Sequence, residues 1–273
     1  MLDNVIGKVS YIVRDAARPV IHIGEAGDKP ERSADYVAQS VPIFNARELE
    51  ETPSLSAEGF ALLHHPTGVK DFSDSHEVES RYYDEVVDLV KSETGASLVI
   101  PFDHTTRVDA PEDGVRGPAR HVHNDYTPKS IAQRSIDLLG EAKAAKALEG
   151  RVAQVNVWRP LENPVKTSPL ALIDARTLAP EDLVATDLIF PDRVGEIYSV
   201  AYNPEHRWLH FPEMTPEEVL LIKGYDSAGY DSGGEGTARF SPHTAFELPR
   251  AAGFVPPRKS IEIRTMAFFD LDV

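Results

Sequence analysis

The spacing of apolar side chains divides the chain into elements of two periods. Residues 7–13, GKVSYIV, alternate apolar and polar positions, as a strand with one covered face does, and RPVIHI (18–23) reads as its partner. Residues 74–94 change to helical spacing. Val78, Tyr82, Val86 and Val90 share one face, Asp74 stands where it caps the first turn with Glu77 three residues on, and Gly95 follows the last turn. ASLVIPF (96–102) is a short apolar run that reads as a buried strand. A second helix is expected from Pro128 to about Leu148, with Thr127 as its cap, proline at its first position and Gly150 beyond its end.

After Gly150 the texture becomes one of short strands between turn residues. They are AQVNVW (153–158), LALID (170–174), EIYSVAY (196–202), RWLHF (207–211), EVLLIK (218–223), HTAFEL (243–248) and SIEIRTMAFF (260–269), with NPEH (203–206) as a hairpin turn. Such spacing suggests a sandwich or barrel. The expected class is α+β: a mixed, helical front half (about 1–150) feeding an antiparallel β-rich back half (about 151–273). No repeat, low-complexity tract or linker divides the halves, so a single domain over 1–273 is expected.

Composition narrows the functions. Apolar residues make up 41% of the 273, enough for a core, and the absence of cysteine excludes disulfides and thiolate-bound metals and fits a reducing compartment. A net charge of −16 argues against nucleic acid or an anionic membrane as partner. No apolar run is long enough to span a bilayer, and MLDNVIGKVSYIV lacks the basic start and apolar core of a secretory signal; a soluble, cytoplasmic protein is expected.

One stretch carries candidate chemistry. In ARHVHNDYT (119–127), His121, His123 and Asp125 are spaced by two, so His123 with Asp125, or His121 with His123, point to one side of a strand and reach one ion together. A His-x-Asp pair plus a distant histidine is the two-histidine, one-carboxylate triad that leaves half of an octahedral ion open, as in non-haem Fe(II) oxygenases. His243, at the start of a late strand, is the best third ligand. His206 and His210 are downstream too, but flank the hairpin turn and are expected to point elsewhere. A bland reading competes: a polar loop in which Asp125 caps the Pro128 helix. In RKSIEIR, Arg258, Ser260, Glu262 and Arg264 share a face opposite Ile261 and Ile263. A solvent-facing strand shows that pattern, but Arg-x-Ser fifteen residues after His243 also suits a dicarboxylate, clamped by the guanidinium and hydrogen-bonded by the hydroxyl.

The sequence resembles the hydroxylase/desaturase family of Fe(II)/2-oxoglutarate-dependent oxygenases, related to the cephamycin 7α-methoxylase chain and typical of secondary metabolism. The resemblance runs from about residue 40 to the end, through FNARELE, LSAEGFALLHHPTGVKDF, YYDEVVDLVKSETGASLVIPFDHTTR, HVHNDYT, VNVWRPLENPVKTSPLALIDARTL, RWLHFPEMTPEEVLLIKGYDS, SPHTAFELP and PRKSIEIRTMAFFD. It implies a double-stranded β-helix (jelly-roll) core with flanking helices. It implies iron on His123, Asp125 and His243, with His121 supporting them. It also implies 2-oxoglutarate as co-substrate held by an arginine, O2 as oxidant, and a homodimer. The activity implied is hydroxylation, desaturation or cyclisation of a small molecule through a ferryl intermediate. Arg258 with Ser260 is favoured for 2-oxoglutarate. Arg264, six residues on and about 20 Å away along the strand, is the second candidate and has Glu262 on its own face. The 120 residues between His123 and His243 make a long gap that leaves the intervening strand pairing open. Asn156 and Trp158 share a face that either lines the cavity or, for Trp158, packs the core. Arg159 turns outward or meets substrate, Arg107 binds an anion or forms a surface salt bridge, and Tyr202 packs the core or points into the barrel mouth. Two other functions remain: a cupin-like iron dioxygenase or isomerase without 2-oxoglutarate, which yields no succinate, and a β-sandwich binding module, which takes up no metal.

Overall fold

A computed structural model of the chain describes residues 2–15, 17–24, 30–110, 115–162, 164–230, 236–248 and 255–271. Two sheets make up its frame. The smaller runs in the order Phe60–His64, Glu218–Asp226, Val152–Pro160, Lys259–Phe268, Leu98–Val108, with every neighbour antiparallel. The larger has ten strands, with Trp208–His210, Leu170–Ile173, His243–Ala245, His123–Asn124 and Val194–Val200 as its middle. The chain passes repeatedly between them: Leu98–Val108 lies in the small sheet, His123–Asn124 in the large, Val152–Pro160 in the small, Leu170–Ile173 in the large, and so on to Lys259–Phe268. This winding is the expected jelly roll.

Side-chain alternation explains why the small sheet is buried on both faces. Val155, Val157, Val219, Leu221, Ile261 and Ile263 point outward and pack on Val78, Tyr82, Val86 and Val90, all four with no exposed surface. Each buried valine contributes about 1.5–3 kcal/mol. The opposite face holds Gln154, Asn156 and Trp158 on one strand and Ser260, Glu262 and Arg264 on the next, where the antiparallel register sets Glu262 beside Trp158 and Arg264 beside Asn156. A polar row on a buried strand demands partners inside the barrel.

The covering helix begins as expected at Asp74, whose side chain accepts from the His76 amide at 2.9 Å, and ends at Gly95 in the left-handed region (φ 75°). Glu77 does not complete a capping box; it reaches back to the amides of Lys70 and Asp71 at 2.9 and 3.0 Å. Within the segment, Val78–Tyr82 forms a π turn before Tyr83–Thr94. Thr127 and Pro128 start the second helix as read, but Gly140 (φ 76°, ψ 159°) breaks it into Pro128–Leu139 and Glu141–Glu149.

Three strand expectations change. RPVIHI does not pair with the first strand: Asn4–Ile12 pairs along its whole length with Tyr36–Asn45, while Val20–His22 lies parallel to Leu183–Ile189. Long alternating partners win over the nearest in sequence because each further pair adds ladder hydrogen bonds and covered surface. Residues 203–206 are not a hairpin. They turn locally, His206 N to Asn203 O at 3.2 Å, but Val194–Val200 pairs with Leu183–Ile189 and His123–Asn124, whereas Trp208–His210 pairs with Tyr36–Asn45 and Leu170–Ile173. Strands Tyr36–Asn45, Phe60–His64 and Leu183–Ile189 lie outside the expected set. Among the described residues no helix is long and apolar enough to cross a membrane.

Strands from the front and back halves are neighbours in both sheets, and Leu98–Val108 pairs with Lys259–Phe268 throughout. We therefore expect one cooperative unfolding transition in denaturant and no protease-resistant fragment ending near Gly150. A stable fragment of that kind would mean two independently folding units.

Candidate metal centre

His123 sits on a two-residue strand that runs straight into a loop, and Asp125 is the first residue of that loop. The turn is pinned from between them. Asn124, fully buried, donates from Nδ2 to the carbonyls of Tyr126 (2.8 Å) and Gly224 (2.7 Å). Asp125 does not cap the following helix; Thr127 does, and the Asp125 carboxylate turns inward. His243 lies on His243–Ala245, directly opposite His123 in the antiparallel ladder, with ring centroids 4.7 Å apart. One ligand atom from each of His123, Asp125 and His243 falls within 4.8 Å of the others, the one such group among the described residues.

The remaining polar atoms of the three are tied off. His123 Nδ1 lies 2.8 Å from the His121 carbonyl, and His243 Nδ1 lies 3.1 Å from the Ser241 carbonyl. A carbonyl only accepts, so each Nδ1 donates to it, and each Nε2 is the nitrogen left facing the cluster. Asp125 Oδ1 is 3.4 Å from His123 Nε2, while Oδ2 accepts from Asn156 Nδ2 at 2.6 Å. Burial alone would raise the Asp125 carboxyl, but His123, Arg264 and His243 hold it well below the usual carboxylate range. Burial, with His123 adjacent, lowers His243 to about 4. At neutral pH the cluster therefore offers a carboxylate and an unprotonated His243 imidazole, the donor set of a facial triad.

His121 is outside the cluster. It contributes its carbonyl to His123, and its ring packs against Tyr36 with Nδ1 3.3 Å from Arg32. His206 and His210 are not at the centre either, though both are buried rather than turned away. His206 bonds Asp182 and the Tyr11 hydroxyl, and burial lowers His210 to about 4.

The two arginines differ in what they already hold. Arg264 donates to Asp103 (2.8 Å), Thr105 (3.2 Å) and Glu262 (2.9 Å), and its Nε is 3.7 Å from Asp125. Arg258 lies over the Trp158 ring and donates from Nη1 to the Ser168 carbonyl; its Nε is buried without a partner among the described residues. The Ser260 hydroxyl is also buried and unpartnered. Burial lowers Arg258 to about 10, with Arg107 adding, so it stays charged at neutral pH. Two orphaned donors on one wall fit an absent anion. Arg107 is level with Ser260 across the ladder and donates to Gly117 O at 2.8 Å. It forms no ion pair with a described residue, which excludes the surface salt bridge among them.

Comparison with known proteins agrees with this geometry. A family profile described as YDMC: Oxidoreductase/YMDC permease-like domain matches residues 9–268. Hydroxylase/desaturase efuI of Hormonema carpetanum is 36% identical over 261 residues, covering 86% of this chain and 85% of its own. The Fe(II)/2-oxoglutarate-dependent dioxygenase nvfI of Aspergillus novofumigatus is 31% identical over 242 residues, covering 86% and 84%. The solved structure of the iron and alpha-ketoglutarate-dependent endoperoxidase NvfI superposes with a TM-score of 0.85 at 28% identity over 97% of this chain and 98% of that one. The chain belongs to this oxidoreductase family, the Fe(II)/2-oxoglutarate-dependent hydroxylase/desaturases.

Other side chains singled out from the sequence of this family member fall elsewhere. Trp158 packs with Phe60, Leu172, Leu209 and Leu220 in the core and also floors Arg258. Tyr202 does not pack in the core; it is 48% exposed, its ring edge-on to Tyr11. Arg159 is fully buried rather than turned outward. It points to the helix layer, donating to the Tyr82 hydroxyl (2.8 Å), the carbonyls of Pro216 and His65, and His65 Nδ1 (3.2 Å). Gln154 escaped sequence reading, although two amides on one face of a valine-rich strand were a signal.

Arg159→Ala should therefore unfold early. Removing the one side chain that serves these buried acceptors leaves them unpaired, at about 1–3 kcal/mol each. Denaturant titration should show that loss, while the metal affinity of the folded fraction stays unchanged. Normal stability with weakened substrate turnover would return Arg159 to the substrate.

Proposed function

We propose that His123, Asp125 and His243 hold the Fe(II) of this oxygenase, and that Arg258 with Ser260 grips the far carboxylate of 2-oxoglutarate. The observation that carries the reading is the convergence of three ligand atoms within 4.8 Å, with the other polar atom of each group engaged by the protein. Bound there with 2-oxoglutarate and O2, iron supplies the oxidising power to remove hydrogen from an unactivated C–H bond of a small molecule, giving hydroxylation, desaturation or cyclisation. The protein's part is orientation and exclusion of water. The two carbonyls fix which imidazole nitrogen faces the ion, Asn156 fixes which carboxylate oxygen does, and the burial of His123 and His243 keeps bulk solvent off them.

The relative nvfI, named as a 2-oxoglutarate-dependent dioxygenase, favours this over an iron dioxygenase or isomerase without 2-oxoglutarate, and over a metal-free binding module. The orphaned Arg258 and Ser260 donors support a carboxylate co-substrate beside the metal. In the same reading the enzyme works in the cytoplasm, without nucleic-acid or membrane partners. The acidic charge and the absence of cysteine support that; the homodimer rests on family resemblance alone.

Two measurements test the assignment. Anaerobic addition of Fe(II) and 2-oxoglutarate should produce a weak visible charge-transfer band. His123→Ala, Asp125→Ala and His243→Ala should each abolish it, and His121→Ala should retain at least part. Iron kept by His123→Ala and lost by His121→Ala would overturn the ligand set.

Titrating 2-oxoglutarate into that band separates the arginines. A hydrogen bond to a charged group contributes about 1.5–3 kcal/mol, so Arg258→Ala should weaken 2-oxoglutarate roughly tenfold or more while still binding iron. Arg264→Ala, which strips partners from Asp103 and Glu262, should chiefly lower stability or substrate coupling. The reverse pattern would transfer the co-substrate to Arg264.

A further inference from the structure

A monodentate carboxylate ligand has a second oxygen that must be restrained, or it swings in to chelate the metal or away from it. Here Oδ2 of Asp125 accepts from Asn156 Nδ2 at 2.6 Å, and Asn156 Oδ1 in turn accepts from Gln154 Nε2 at 2.5 Å. The orientation of every amide in this row is dictated from one end. The ionised Asp125 carboxylate only accepts, so Asn156 must face it with NH2; its oxygen then faces Gln154, which must present NH2 as well. That leaves Gln154 Oε1 buried without a partner, a cost unusual in a folded protein.

The space for this arrangement comes from Gly224. A Cβ there would lie 1.9 Å from Gln154 Oε1. Gly224 sits at the irregularity between Lys223 and Tyr225, where the pairing with Val152–Pro160 slips. Its carbonyl accepts from Asn124, the residue between His123 and Asp125. The same bulge thus anchors the backbone that carries two ligands and makes room for the amide row behind one of them.

We infer that Gln154 and Asn156 are positioning residues for the metal carboxylate: Asn156 holds Asp125 to one oxygen, Gln154 holds Asn156 in its donating orientation, and Gly224 makes the row possible. This rests on Asp125 being a metal ligand.

The test is Co(II) binding to the metal-free protein, by calorimetry and by the visible ligand-field spectrum, without substrate or O2. Asn156→Leu should weaken Co(II) about 10–100-fold and change the spectrum in protein that keeps the wild-type fold by circular dichroism, with a lowered metal-free melting temperature because Gln154 loses its acceptor. Gln154→Leu should change both readouts in the same direction but less. The double variant should be no worse than Asn156→Leu alone, because Gln154 acts through Asn156. Gly224→Ala, which crowds Gln154, should resemble Gln154→Leu and serves if the Asn156 variant does not fold. Wild-type Co(II) affinity and spectrum in folded Asn156→Leu would overturn the inference, as would additive losses in the double variant. Retention of Co(II) by Asp125→Ala would instead remove the ligand assignment beneath it.

Discussion

The site depends on one pairing: His123 stands directly opposite His243 in an antiparallel ladder. Side chains directly opposite in such a ladder lie on the same face, close enough for two imidazoles to reach one ion. A slip of one residue would turn one ring to the other side of the sheet. The register is held by what surrounds it. Leu172 is the other neighbour of His243, Ser199 is the other neighbour of His123, and Asn124 is bound across to the second sheet. The two sheets are thus joined at the centre through a polar contact rather than apolar packing alone.

Charge is sorted along the inner wall of the small sheet. Near the triad, Arg264 is surrounded by Asp103, Glu262 and Asp125, so its field is spent keeping carboxylates ionised or close by. Burial pushes the Glu262 carboxyl up while Arg264 pulls the other way. Farther along the same strand, the Arg258 guanidinium has a carbonyl and an aromatic face as its described partners, with a buried hydroxyl two residues on. Two arginines that look alike in RKSIEIR therefore differ in availability: one is saturated with anions, the other is short of one.

Local rules read the helix starts well because caps and apolar faces are local. Asp74, Thr127 and the Val78–Val90 stripe lie where spacing put them. The same rules failed where a partner had to be chosen. RPVIHI lost the first strand to Tyr36–Asn45, and the turn at 203–206 joins strands that are not neighbours. Leu183–Ile189 was hidden because Thr186 and Asp187 interrupt its apolar pattern; Thr186 is buried with its hydroxyl on Ser199, and Asp187 pairs with Arg18. Nothing near those residues in sequence announces such partners.

By itself the sequence determined the residue types and short spacings: His-x-Asp, a later histidine, Arg-x-Ser, and a strand with Asn156 and Trp158 on one face. Those follow from the two-residue period of an extended chain, which needs no knowledge of what lies across from it. Only the tertiary structure decided that His243 rather than His206 or His210 faces His123, that Arg159 serves the helix layer, and that Gln154 and Asn156 stand behind Asp125. Each is a contact between segments far apart in the chain, chosen by which pairing buries the apolar faces of both sheets and still leaves buried polar groups with partners, and that choice is made by the whole fold at once.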